Sequence, residues 1–361
     1  MNIMKTKHLI LFLISALSAD ASAKNRTIFF EASAFYNTEP INYDAFTNEW
    51  DGHFFGGRKA IALSNIETGG TYNNWRLSIF QRTVSYLDFS SETAEIVYLT
   101  HNKLPLEKNR RYKVDLTVKH MISDGVRIGR NFINTNKFRL NIGSAILSGK
   151  KIFDGKLTGY VHASSESDYN FENVYLDYYY SKDKLFAHDA ENPSGVGLSF
   201  DSELEWKPNN QIVLTWYLGD IFAFIDWQDA PTTTAFIDSD NKTYDENGYV
   251  KIEPLIRGHQ SEKQFRQQLP IHSNLKISSK LSATQSLILA YQYTDVTSFA
   301  EIGLSQQIGY GLNLSTSYIL NVEAFSFSIK HRIIHFQLAM DELDIKKTRY
   351  LNFTTSLNYP F

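Results

Sequence analysis

The last eleven residues constrain this chain more than any other stretch. Leu351, Phe353, Thr355, Leu357, Tyr359 and Phe361 fall on one parity, and Asn352, Thr354, Ser356, Asn358 and Pro360 fall on the other. Successive side chains of a β-strand point to opposite faces, so the segment reads as a strand with one apolar and one polar face, ending on an aromatic residue. Such a strand needs an apolar environment on one side only.

The same alternation recurs along the chain. Tyr112, Val114, Leu116 and Val118 alternate with Lys113, Asp115, Thr117 and Lys119, and Phe138, Leu140 and Ile142 alternate with Lys137, Arg139 and Asn141. Val196, Leu198, Phe200, Leu204 and Trp206 share a parity before the polar turn Lys207-Pro208-Asn209-Asn210, after which Ile212, Leu214, Trp216 and Leu218 resume it. Leu312, Leu314, Tyr318 and Leu320 lie opposite Asn313, Ser315 and Ser317. Strands of about ten residues are long enough, when tilted, to cross the hydrocarbon of a bilayer.

At the N-terminus, Lys5 and Lys7 precede an apolar run from Leu9 to Leu17, and Ala21-Ser22-Ala23 has the small-x-small form of a signal-peptidase site. Residues 1–23 are therefore expected to be a cleaved signal peptide, with 24–361 as the mature domain. The mature chain has no apolar run of the roughly 20 residues that a transmembrane helix requires, so any spanning is by strands. The chain has 36 Lys and Arg against 39 Asp and Glu; loss of Lys5, Lys7 and Asp20 leaves 34 against 38, a net charge of −4. That balance argues against nucleic acid as a partner. Cysteine is absent, which excludes disulfides and thiol chemistry.

The terminal strand resembles the closing strand of Gram-negative outer-membrane β-barrels, in which a terminal Phe preceded by alternating apolar residues is read by the assembly machinery. The resemblance implies an all-β fold: a single closed antiparallel transmembrane barrel in the outer membrane, surrounded by its lipids. Tyr359 and Phe361 would form the assembly signal. The pattern gives twelve to eighteen strands, with fourteen or sixteen favoured because such barrels have even counts. Segments 92–100, 136–146 and 155–164 read as separate strands, 207–210 and 307–311 as periplasmic turns, and 181–193, 229–248 and 341–348 as outside loops. Residues 37–74, with Gly56-Gly57 and Gly69-Gly70, read as a long first hairpin, a plug, or a constriction.

Candidate chemistry is sparse. Asp238, Asp240, Asn241, Asp245, Glu246 and Asn247 offer oxygen ligands, but Lys242 and Thr243 break the calcium-loop spacing, so neither a metal nor a cofactor is expected. His162 lies near Ser164, Ser165 and Asp168, yet no Gly-x-Ser-x-Gly elbow is present and no catalytic residue is assigned. Charges on the expected inner face are the better clue: Arg76, Arg82, Lys113, Asp115, Lys119, Lys137, Arg139 and Lys156 are candidate lumen or selectivity residues. They suggest a channel or transporter for a small anionic or sugar-like solute. The alternative is a barrel component that docks a periplasmic or outer-membrane partner in a secretion or surface-assembly system. Edman sequencing of protein recovered from the outer membrane should begin at Lys24, and deletion of Phe361 should lower the yield of heat-modifiable, folded protein; a soluble periplasmic product would contradict the address.

Overall fold

The computed structural model describes residues 26–183, 192–239, 242–244, 250–252 and 256–361. The expected signal peptide and most of the oxygen-rich loop cluster lie outside them. The first strand, β1 (Arg26–Thr38), is paired on both edges: with β2 (Lys59–Tyr72) on one side and with the last strand, β19 (Tyr350–Pro360), on the other. That double pairing closes the sheet. The wall continues through β3 (Trp75–Phe89), β4 (Arg111–Asn134), β5 (Phe138–Ala163), β6 (Tyr169–Tyr180), β7 (Ser194–Trp206), β8 (Ile212–Gly219) and β9 (Phe224–Ile237). After a separate hairpin of β10 (Lys242–Tyr244) and β11 (Val250–Ile252) come β12 (Ile256–Gln268), β13 (His272–Lys280), β14 (Gln285–Thr294) and β15 (Ser298–Ile308). The last before β19 are β16 (Leu312–Ile319), β17 (Ala324–Lys330) and β18 (Ile334–Met340).

Seventeen of these strands form one antiparallel sheet, but three staves of the wall are each made of two strands. Both β6 and β7 descend along β5, as the pairs Phe153↔Tyr180 and Gly149↔Gly195 show. Both β8 and β9 ascend along β7, and β12 and β13 descend along β9 and β8 in turn. Among the described residues the barrel therefore has fourteen staves, one of the two favoured counts. An even number brings Arg26 and Phe361 to the same end, where the Phe361 N–H donates to the Arg26 carbonyl at 3.1 Å. The short turns at 73–74, 135–137 and 309–311 share this end, which is the periplasmic one by the usual asymmetry of such barrels.

Several expectations are corrected. Residues 92–100 are not a strand but lie in helix α2 (Ser91–His101), capped by Ser90, whose hydroxyl accepts the Thr93 N–H at 3.0 Å. Ser90 is followed by good helix formers, and the cap outweighs the β-branched Thr93, Ile96 and Val97. Segments 136–146 and 155–164 are the two ends of a single strand of 26 residues. Segment 181–193 does not join antiparallel neighbours; it interrupts a stave between β6 and β7, and 184–191 fall outside the described residues. Residues 229–237 are strand rather than loop: Ala230 to Phe236 pair on one edge with β12, and from Thr232 to Phe236 also with β6. Their run of Thr lacks lipid-type alternation because this part of the sheet stands beyond the apolar band. Residues 37–74 form the end of β1, a connection with helix α1 (Tyr43–Thr47), and β2.

The outward face carries the membrane band. Leu77, Val126, Ile146, Val196, Leu289, Leu304 and Phe327 are exposed there, and Tyr72, Trp75, Phe132, Trp206, Tyr359 and Phe361 ring its periplasmic edge as an aromatic girdle. On the β3–β5 side the band ends at a polar line, where Gln81 donates to Asp124 at 2.8 Å and Lys150 pairs with Asp124 at 3.4 Å. The wall is uneven in height: β4 and β5 have 24 and 26 residues, β17 and β18 only seven each. The upper parts of β4, β5, β6, β9 and β12 thus rise beyond the band. There Tyr112, Val114, Val161 and Ala163 are buried against Ile96 of α2 and Leu106, so the apolar parity of β4 faces protein, not lipid. Period-two alternation reports a half-covered strand without saying what covers it. Replacing outward Leu314 by Arg should cost roughly 2–4 kcal/mol at mid-bilayer and lower folded yield on semi-native gels. Arg at neighbouring inward Ser315 should be tolerated better; the reverse order would invert the face assignment.

Candidate functional site: a polar chamber in the lumen

Inward parity places Glu31, Ser33 and Phe35 of β1, Asn65 and Glu67 of β2, and Arg76 and Arg82 of β3 on one concave surface. Arg127 of β4, Asn141 of β5, and Asp201 and Glu203 of β7 continue it. Tyr217, His272, Asn274, Gln292, Gln337, Asn352 and Thr354 complete a chamber of about 530 Å³. Each stave contributes only alternate residues, which is why polar groups far apart in sequence converge here while their neighbours face lipid.

The charges in the chamber are cross-linked. Arg76 reaches Glu31 at 3.1 Å and Glu67 at 3.2 Å, and Ser78 donates to Glu67 at 2.7 Å. Arg127 bridges Glu67 to Asp201, lying 2.9 Å from the latter. Arg82 gives Nη1 to both oxygens of Asp220 at 2.9 and 3.0 Å, and Asp220 also accepts from Ser199 at 2.7 Å. His272 Nδ1 stands 3.6 Å from the same carboxylate. Low dielectric makes an unpaired charge here very costly, so pairing is what permits so many ions inside a wall. Six carboxylates line the chamber against three guanidinium groups, so its field is negative even with every arginine engaged.

Asp220 also shapes the wall. It has φ +54°, a left-handed conformation that Asp tolerates better than most residues, at the break between β8 and β9. Its N–H donates to Asp201 at 3.1 Å. The neighbouring stave breaks at the same height, through Leu269, Pro270 and Ile271 between β12 and β13. Pro270 lacks the N–H needed to carry a ladder across this point.

Above the chamber the lumen is apolar. Phe35, Phe299 and Tyr350 form a triad with ring centroids 5.3–5.6 Å apart, each pair edge to face, in which Phe299 of β15 meets two rings from the adjacent strands β1 and β19 across the lumen. A second cluster joins Phe80, Met121, Leu147, Ile152, Ile225 and Trp227. The Trp227 ring lies flat over Gly149 and Gly195, where a β-carbon would overlap it, and its indole N–H donates to Gln267 at 3.2 Å. Gln267 in turn donates to Asp154 at 3.0 Å, tying β12 to β5. These clusters pack on the extracellular side of the chamber.

The sequence-assigned charges separate into groups. Arg76 and Arg82 line the chamber. Arg139 lies lower, 3.4 Å from Glu203 and 3.5 Å from Glu205, and Lys137 sits in the periplasmic turn. Lys113 pairs with Asp115 at 2.7 Å near the extracellular end, while the fields of Lys119 and Lys156 reach Asp154. The eight do not share one continuous surface. His162 Nδ1 contacts Glu172 at 3.0 Å, and Ser164 donates to Asp168 at 3.1 Å. Alternation alone could not reveal Arg127, Asp201, Asp220 or His272 as chamber residues, because register and the break at Asp220 decide which charges meet.

A closed ladder, an outward apolar band with an aromatic girdle, and a polar lumen define an outer-membrane β-barrel. No family model matches the chain, and no curated protein matches it. Among solved structures it is similar to the TodX deltaS2S3 mutant monoaromatic hydrocarbon channel, at 11% identity over 94% of this chain and 91% of that one, with a TM-score of 0.46. The Pseudomonas putida toluene transporter TodX gives 10% identity over 96% and 92%, with a TM-score of 0.44. A Pseudomonas aeruginosa FadL homologue gives 11% over 93% and 90%, with a TM-score of 0.39. At these identities the placement of this chain rests on its own ladder and band.

The chamber makes a stability prediction. Asp220→Ala strands the buried Arg82 guanidinium and should cost about 3–5 kcal/mol in urea titrations in micelles. The double variant Arg82→Met, Asp220→Ala should recover part of that loss; a double variant weaker than the single would contradict the pairing.

Proposed function

We propose that this barrel passes a small polar, sugar-like solute across the outer membrane, through a lumen that is closed on its extracellular side in the resting state. The observation that carries this reading is the chamber, where hydroxyl and amide groups of Ser33, Asn65, Asn141, Asn274, Gln292, Gln337, Asn352 and Thr354 surround charges already paired with one another. Paired charges hold the wall, and uncharged donors and acceptors are left to replace the water of a hydroxylated solute. The negative field of the lining disfavours an isolated anion within the chamber itself.

A second reading is passage of a small apolar molecule between lumen and bilayer. It is favoured by the paired wall breaks, where Ile221, Phe222 and Ile271 are exposed while Pro270 and His272 line the chamber.

Liposome swelling with a monosaccharide tests the first reading. Phe35→Ala with Phe299→Ala should raise permeation several-fold over the wild type by removing two of the three sealing rings. Sugar permeation absent from a folded double variant would defeat it. The second reading expects no sugar flux, and expects bromobenzene soaked into crystals to gather at the Pro270–Ile271 break. A folded sample that does neither returns the barrel to the docking role that the sequence also allows.

A further inference from the structure

Below the chamber, toward the periplasmic end, the lumen changes sign. Lys330 of β17 and His335 of β18 are direct register partners, Lys330↔His335, and share the inward face with the pair Ser328↔Gln337 above them. Gln337 lines the chamber, and His335 Nε2 lies 3.2 Å from the Ser328 hydroxyl, which fixes the direction of both side chains. Lys276 of β13 lies two residues below chamber-lining Asn274, on the same parity. Asn274 and Gln337 line one chamber, so Lys276 and His335, each the next inward position below them, face the same periplasmic mouth.

This cluster differs from every arginine of the chamber. Arg76, Arg82 and Arg127 each have a carboxylate in ion-pairing contact, and Arg139 has two. Among the described residues, neither Lys276 nor Lys330 has one. The carboxylate whose field reaches Lys276 is Glu301, which accepts the hydroxyl of Ser317. Glu205 feels Lys330 but is taken by Lys207 at 2.8 Å and by Arg139. Lys276 and Lys330 carry like charge into one narrow lumen, where water screens their repulsion poorly. The chamber arginines are neutralised by ion pairs, whereas this set at the periplasmic end is open to a diffusible counter-charge.

We propose that Lys276, Lys330 and His335 form a binding site for a small oxyanion, a phosphate or carboxylate, at the periplasmic end of the lumen. Two ammonium groups and an imidazole offer several donors with no fixed fork, suited to a compact tetrahedral or planar anion. Asn313, the other register partner of Lys330, lies beside the site with its amide. Joined to the passage reading, the site would take the acidic group of a solute whose hydroxyls face the chamber. The site itself does not require passage.

The test is a thermal-stability titration of the full barrel in uncharged detergent micelles, with inorganic phosphate and, separately, glucuronate, each against chloride at matched ionic strength. The wild type should show a saturable rise in melting temperature with at least one of them. Lys276→Gln with Lys330→Gln should weaken the response at least ten-fold, while its stability in chloride alone stays equal or rises because a repulsion is removed. A lower saturating concentration for glucuronate assigns the site to a solute's acidic group, and a lower one for phosphate to a free oxyanion. No saturable response, or a response unchanged in the double variant, overturns the proposal. Binding in micelles without sugar flux in liposomes would retain the site and sink the channel.

Discussion

The pairing of β1 with β19 is the constraint on which the rest depends. Hydrocarbon offers no partner for a free N–H or C=O, so a sheet can cross it only if its first and last edges meet. Once they meet, inside and outside are defined for every residue by parity alone. The outward set becomes the apolar band, and the inward set must satisfy itself. The salt-bridged chamber follows from closure as much as from any function, because polar residues turned into a lumen of limited water have to find partners there.

Legibility in the sequence follows the same division. Strands with lipid on one side and a polar lumen on the other keep a strict period of two, and the segments around 194–206 and from 284 onward read almost as they fold. Where protein replaces lipid the signal loses its meaning. Tyr112 and Val114 look lipid-facing but are packed under α2, and the Thr run of β9 looks like loop because neither of its faces touches hydrocarbon. The strand count was harder to read because three staves are interrupted, and a one-dimensional pattern cannot tell a turn from a break within a stave. Of the site, Arg76 and Arg82 were legible by parity. Asp220 was not: it sits at the end of an apolar strand, and only the fold shows that Arg82, Ser199 and His272 converge on it.

The lumen has an axial order of its own. Aromatic rings cluster toward the extracellular side, an acid-rich but internally paired layer lies beneath, and Lys276 and Lys330 lie nearer the periplasmic mouth. None of these layers belongs to a single sequence segment. Phe35, Phe299 and Tyr350 come from β1, β15 and β19, so a change confined to one hairpin alters one point in each layer and leaves the sequence of layers intact.

The 26-residue strand β5 has a consequence for how the barrel comes together in time. Its upper half pairs with β6 across the short connection 164–168, and its whole length pairs with β4 across the turn at 135–137, both contacts between near neighbours in sequence. Its lower half pairs with β7, which follows in sequence only after residues 181–193. Local pairing closes small loops and is fast, whereas distant pairing bears a larger entropic barrier. The β4–β5–β6 meander therefore rests on sequence-local pairings of low closure cost, while the lower edge of β5 is completed by the more distant β7.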